Sequence, residues 1–259
     1  MASVGSRSTV ALLIAAGVIA GAVQAQPRHR LEGFRPVEPV EAWVEEDILD
    51  KTNAFRAEHG RGAVQENPVL AEDARAFAAY LARTGAFDHA ADGRSPGQRA
   101  EAAGYDYCEV AENLAYAEDG AGFRERDLTS DLMQGWEASP GHRRNLLDPD
   151  VVEIGVGVAR APGRTPRYIA VQEFGRPAAM RYAFEVTNRT GLAVSYAFEG
   201  RTWRIEPGMT ITHRPCKPGD LVLPGHPGGT AYTVRPGEVY VLERRSGAGL
   251  VVEIMRRGA

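Results

Sequence analysis

Lysine is almost missing from this chain of 259 residues: Lys51 and Lys217 are the two it has, and arginine carries the rest of the positive charge. That bias says nothing about function. Cysteine is equally scarce, with Cys108 and Cys216 alone. No long run of one charge sign occurs, and the formal net charge is −4. A nucleic-acid partner, which needs a clustered basic face, is therefore not expected. Beyond the first 25 residues no apolar stretch is long enough to span a membrane. There is also no compact metal signature such as H-E-x-x-H, so any metal site must be assembled from distant segments. The remaining composition, 44% hydrophobic and 25% charged, is that of an ordinary globular protein. The length suits one large domain or two modest ones.

The first segment reads as an export signal. Arg7 supplies a positive start, residues 10–22 are apolar and small, and Val23-Gln24-Ala25 is a small-x-small cleavage site. Cleavage is expected after Ala25, releasing the protein to the periplasm or the exterior. No cysteine follows that site, which argues against a bacterial lipid anchor, and the mature chain is not expected to be an integral membrane protein. Residues 26–39 are a polar, proline-bearing tether. In an exported chain an even cysteine count points to a disulfide, here joining Cys108 to Cys216 across distant segments.

Residues 40–177 form the first expected domain. A helix is predicted over 39–59, where Val44, Ile48, Thr52 and Phe55 share one face with Leu49 beside them. Asn67-Pro68 opens a second helix over 70–84, with Leu70, Ala74, Phe77, Ala78 and Leu81 as its inner stripe and Gly85 as its stop. Ser95-Pro96-Gly97-Gln98 is a capping box that starts a short helix ending at Gly104. Residues 124–136 carry Leu128, Leu132 and Trp136 inward. Two strands follow, at 153–159 and 167–174, joined through Pro162-Gly163 as a hairpin. Helices first and strands after make an α+β domain.

From Met180 onward the helical period disappears. Short alternating runs such as Tyr182-x-Phe184-x-Val186 and Val194-x-Tyr196-x-Phe198 are separated by Pro-Gly turns. Residues 178–259 are thus expected to be a small all-β, sandwich-like accessory domain. His213 and His226 lie near Cys216 there, and a turn-rich loop explains them better than a metal site does.

The candidate site residues lie in the first domain: His89, Glu112 and His142, all expected in loops or at helix starts. His142 follows Ser139-Pro140-Gly141, where Ser139 is an N-cap candidate and Pro140 suits the first helical position. The positive end of that helix should disfavour imidazolium and leave a neutral ring. A surface histidine in a helix cap is the plainer reading of His142 taken alone. Two histidines and a carboxylate make a workable shell for zinc, or with less preference calcium or magnesium.

Six segments, in order, resemble the CAP/SCP superfamily of secreted proteins (cysteine-rich secretory, antigen 5 and pathogenesis-related), most nearly its bacterial branch. They are Asp50-Lys51-Thr52-Asn53-Ala54-Phe55-Arg56, running on to Asn67-Pro68-Val69-Leu70-Ala71; Phe87-Asp88-His89 through Ser95-Pro96; Ala111-Glu112-Asn113-Leu114-Ala115; Trp136 onward to Leu147; Glu153-Ile154-Gly155-Val156-Gly157-Val158; and Gln172-Glu173-Phe174-Gly175. The resemblance covers roughly residues 40–176. It implies an α-β-α sandwich with a cleft holding two histidines and usually two glutamates. His89, Glu112 and His142 match three of the four. Ser139 stands where the fourth is usual, and Glu137 and Glu153 are weaker candidates for it.

The expected function is a non-enzymatic binding module whose polar cleft can hold a divalent metal, with Glu112 as a ligand or as the group that orients one. A small ligand, a lipid or a cell-envelope component is the expected partner. The alternatives are a hydrolase, with Glu112 or His142 as base and Ser139 or a metal-bound water as attacker, and a binder of apolar ligands. Ser139 argues against the first of these if its oxygen is committed to helix N–H groups.

Overall fold

A computed structural model describes residues 38–223, 230–247 and 249–256. The signal, most of the tether and His226 lie outside the described residues. Helix α1 (Glu41–Glu58) comes first, then β1 (Gln65–Glu66), α2 (Pro68–Thr84) and α3 (Pro96–Ala103). Strand β2 (Tyr107–Glu118) leads to α4 (Glu125–Ala138), α5 (Pro140–Leu146), β3 (Glu153–Arg160) and β4 (Arg167–Pro177). The expected caps are present. The Asn67 carboxamide accepts from the N–H groups of Val69 and Leu70, and Ser95 and Gln98 form the reciprocal capping box. Gly85 and Gly104 close α2 and α3 in the left-handed conformation that a side chain disfavours.

These elements build a sheet of order β1-β3-β4-β2 with helices on both faces. Strand register decides what each face carries. Gly155 pairs with Glu173, which pairs in turn with Glu112, so all three point to one face. Gly157, Val171 and Leu114 share it. Helix α2 lies on this face, so close that a Cβ on Gly155 would meet the Leu70 carbonyl carbon at 2.1 Å, and one on Gly157 the Ala74 carbonyl carbon at 2.2 Å. The opposite face carries Ile154, Val156, Val158 and Phe174, buried with Val44, Ile48, Leu128, Leu132 and Trp136 of α1 and α4. Carboxylates of α1 cover the edge of β3 beyond its short pairing with β1. Glu45 accepts from the Val158 N–H at 2.9 Å and Glu41 from the Arg160 N–H at 3.1 Å, which blocks a site for unwanted strand addition.

Two expectations need correction here. Residues 107–118 form β2, the longest of the described strands, so Glu112 lies on a strand and not in a loop or at a helix start as expected. Its Ala, Glu and Asn content has weak strand preference, and pairing with β4 along its length overrides that. β1, with two residues, was also not foreseen.

The C-terminal part is all β, so the chain as a whole is α+β. Strands β5 (Phe184–Asn188), β6 (Val194–Phe198), β7 (Arg201–Ile205), β8 (Thr210–His213), β9 (Asp220–Val222), β10 (Ala231–Thr233), β11 (Glu238–Arg245) and β12 (Gly249–Arg256) form two sheets, β10-β9-β6-β7 and β12-β11-β5-β8. Tyr196, Phe198, Ile205 and Leu221 of one and Phe184, Val186, Tyr240 and Leu242 of the other share a core, as in a sandwich. His213 is placed differently from the turn-rich loop expected. It sits in β8, 6% exposed, stacked on Phe184, edge-on to Trp203, with Nε2 2.7 Å from the Tyr196 hydroxyl. Burial lowers its pKa, as befits a neutral core histidine.

Cys108 of β2 and Cys216 form the expected disulfide, Cα–Cα 5.4 Å. Around it, Arg176 donates to the carbonyls of Cys216 (2.5 Å) and Asp150 (2.8 Å), and Lys217 pairs with Glu109.

Candidate functional site

β2 is an edge strand, and the site forms where segments from both faces of the sheet reach it. On the α2 face, His89 Nδ1 donates to Glu112 Oε1 at 2.6 Å. The other oxygen of Glu112, Oε2, accepts from Arg99 Nη2 at 2.5 Å. Both Arg99 and Glu112 side chains are 1% exposed, while that of His89 is 50% exposed. Arg99 comes from α3, and its Nη1 also donates to the carbonyls of His89 (2.8 Å) and Arg94 (3.0 Å) and to Asp92 (3.2 Å). Its guanidinium lies 3.5 Å above the Phe77 ring centroid. One buried cation thus fixes both the loop that carries His89 and the carboxylate that His89 meets.

With Nδ1 committed, His89 keeps Nε2 for a ligand. The hydrogen bond to Glu112 is the main cause that raises its pKa. His142 has the opposite bias. Burial, then the neighbouring His89, lower its pKa, so its ring is neutral at pH 7. Neutrality was expected from the helix dipole; burial and His89 act in the same direction.

On the opposite face a chain of amides sets the height of α5. Asn113 donates to the His142 carbonyl (3.2 Å) and to Gln172 (3.1 Å), and Gln172 to Thr52 of α1 (2.8 Å). Asn145 donates to the Glu112 carbonyl at 3.1 Å and to Asn113 at 2.9 Å. Adjacent residues of one strand, Glu112 and Asn113, therefore hold the two histidine segments from opposite sides.

Of the predicted residues, His89 and Glu112 are joined directly, and His142 lies within electrostatic reach of His89. The three do not make a closed set of ligand atoms. Among the described residues the group of three potential ligands whose atoms all lie within 4.8 Å of one another is Glu109, Asp148 and Asp150, and the Lys217 ammonium already sits against Glu109 and Asp150. Glu137 and Glu153 do not join the histidines. Glu137 has Arg143, Glu58 and His59 as its charged neighbours, and Glu153 accepts the Tyr105 hydroxyl at 2.6 Å. Ser139 occupies the N-cap position of α5, with Pro140 after it, but its side chain makes no cap hydrogen bond. The expected commitment of its oxygen is absent. No histidine is hydrogen-bonded to it among the described residues, so a nucleophile–base pair is absent there too.

Arg99, Asp73 and Glu173 belong to this region and were not singled out from the sequence. Glu173 is fully buried on β4 beside Glu112, and Asp73 of α2 approaches it. Burial, aided by Asp73 and Glu112, pushes the Glu173 carboxyl up to about 9. It is therefore protonated at neutral pH and can donate to Asp73. A charged residue between Val171 and Phe174 in a buried strand was the available signal.

A family model described as the cysteine-rich secretory protein family matches residues 49–174. The YkwD protein of Bacillus subtilis (strain 168) is 29% identical over 114 residues, which cover 44% of this chain and 41% of that protein. The membrane protein YlbC of the same organism is 31% identical over 123 residues, 47% of this chain and 33% of that protein. This chain thus spans less than half of each. Among solved structures, an extracellular SCP-domain protein of Bacillus anthracis str. Ames is 23% identical, with a TM-score of 0.44, over 54% of this chain and 44% of that one. An outer surface protein of Borrelia burgdorferi is 18% identical, with a TM-score of 0.45, over 55% of this chain and 98% of that one. The likeness to the cysteine-rich secretory protein (CAP) family thus lies in residues 49–174.

Proposed function

We propose that the protein is an exported, non-enzymatic binding module that holds a divalent cation, zinc before calcium or magnesium, between His89 and His142. The observation that carries this reading is the Arg99–Glu112–His89 relay. Both Glu112 oxygens are occupied, so this carboxylate orients His89 and does not ligate, and Nε2 of His89 is left as a donor. The neutral His142 ring supplies the second nitrogen. A bound cation would act as a Lewis acid that fixes an oxygen of the ligand or of water. Export is consistent with the small-x-small site ending at Ala25 and with the disulfide. Among the described residues no helix is long and apolar enough to cross a membrane.

The test is a thermal melt of chelator-treated protein against a zinc, calcium and magnesium series. At 100 times Kd a ligand specific to the folded state adds about 2.7 kcal/mol, so a clear rise with zinc is expected, and none in the His89→Ala/His142→Ala variant. Equal melting of metal-free and metal-loaded wild type across the series would remove the proposal.

A further inference from the structure

Three sheets have six edge strands among the described residues, and five of them are blunted. β1, β10 and β8 have two, three and four residues. β7 has five and carries Arg201 and Arg204. β2 is longer, but its register slips between Tyr107 and Glu109, and Asn145 already donates to its Glu112 carbonyl. Short strands, edge charges, bulges and covering groups all keep further strands from adding to a sheet.

β12 has little of this. It runs eight residues, Gly249–Arg256, and no strand pairs with its outer side among the described residues. Its register against β11 is unbroken, from Arg245 opposite Gly249 to Glu238 opposite Arg256. It holds no proline and no lysine. Its charges are satisfied within the hairpin: Arg245 meets Glu253 at 3.2 Å, and Glu238 meets Arg256 at 3.2 Å. Ile254 and Met255 stay 48% and 38% exposed, although Tyr240 and Val239 opposite them on β11 are buried. A long regular edge with exposed apolar side chains is a template for strand addition.

The strand that fits this edge is its own copy. Where two identical strands pair antiparallel about a two-fold axis, one residue lies opposite itself at the centre. Alternation puts Val252 and Ile254 on the core side and Val251, Glu253 and Met255 on the outer side. A centre on Glu253 would set two carboxylates face to face, which is unfavourable. A centre on Ile254 would set Arg256 against Val252 on the core side. A centre on Val252 does neither. Val252 then meets Val252, Glu253 meets Val251, and Ile254 is covered by the start of the other strand.

We propose that β12 is a dimerisation edge, through which two copies of this chain join antiparallel about Val252. The two sheets of order β12-β11-β5-β8 then run on as one. This stands apart from the cation reading, and each can fail without the other.

The experiment is sedimentation of the chain from Gln26 onward over a concentration series reaching about 1 mM. A reversible monomer–dimer equilibrium is expected. Ile254→Lys places a cation on the edge and should weaken the dimer at least about tenfold, a difference of 1.4 kcal/mol. Met180→Lys, at an exposed apolar residue outside β12, should leave it unchanged. In the wild type, amide hydrogen exchange should slow with concentration along β12 and not along β7 or β8. A chain that stays monomeric throughout, a dimer untouched by Ile254→Lys, or concentration-dependent protection confined to segments other than β12 would each overturn the proposal.

Discussion

Replacing Arg99 by methionine should be the most damaging single charge removal in the first domain. The guanidinium is 1% exposed and holds a carboxylate that is itself 1% exposed. Its loss strips Glu112 Oε2 and Asp92 Oδ1 of a donor and leaves the carbonyls of His89 and Arg94 short of one. Removing one partner of a buried pair costs about 3–5 kcal/mol, because the other charge stays buried and uncompensated. The surface pair Lys51–Asp47, 38% and 35% exposed at 3.7 Å, makes the comparison, since such pairs contribute about 0–1 kcal/mol. At about 2–4 °C per kcal/mol for a chain of this size, the melting midpoint should drop by roughly 10 °C. Denaturant and thermal melts of Arg99→Met, Glu112→Gln and the double variant complete a cycle. The double variant should be more stable than Arg99→Met alone, because neutralising Glu112 removes the stranded charge. A cost below about 1 kcal/mol for Arg99→Met, or additive losses in the double variant, would refute the idea that this pair is a mutually dependent buried unit.

Three other outcomes follow from the packing and the ionisation. Gly155→Ala places a Cβ 2.1 Å from the Leu70 backbone and forces α2 off the sheet; denaturant melts should show a loss of about 3 kcal/mol or more, while Gly62→Ala, with nothing within 4 Å, should be near neutral. The Glu173 carboxyl is pushed up to about 9 in the folded chain, so the folded state holds a proton that the unfolded state releases above about 4.3, and its contribution to stability falls as pH rises from there towards 9. Glu173→Gln should therefore stabilise, and more at pH 8 than at pH 5; an equal shift at both would show that Glu173 is ionised. Removing the Cys108–Cys216 link, which spans 108 residues of sequence, should cost about 2–5 kcal/mol by the same melts, and an unchanged midpoint would mean that Arg176 and Lys217 hold the junction unaided.

The sequence disclosed what is local. Asn67, the Ser95–Gln98 box and the terminal glycines act within one helical turn, so their chemistry was readable before any fold was known. The inner stripes of α1 and α2 were readable for the same reason. β2 was not, because Ala111, Glu112 and Asn113 are extended only by virtue of pairing with β4, which lies about 60 residues later. Arg99 was hidden differently. A basic residue inside a short capped helix looks like a solvated one, and its partners become neighbours only when α3 docks on β2. His89, Glu112 and His142 were candidates by residue type and expected placement, and it was the family resemblance, not their spacing, that grouped them in one cleft. The structure joins the first two directly and gives Glu112 a second neighbour, Arg99, which favours the orienting one of the two roles expected for it.

The claim that His89 and His142 hold a cation, with Glu112 behind His89, is tested most directly by calorimetric titration of zinc into metal-free protein. The predicted result is one saturable site, lost in His89→Ala and in His142→Ala, and weakened about 10–100-fold in Glu112→Gln, as expected when an orienting partner is removed. Zinc binding of equal affinity in wild type and in both histidine variants would contradict it.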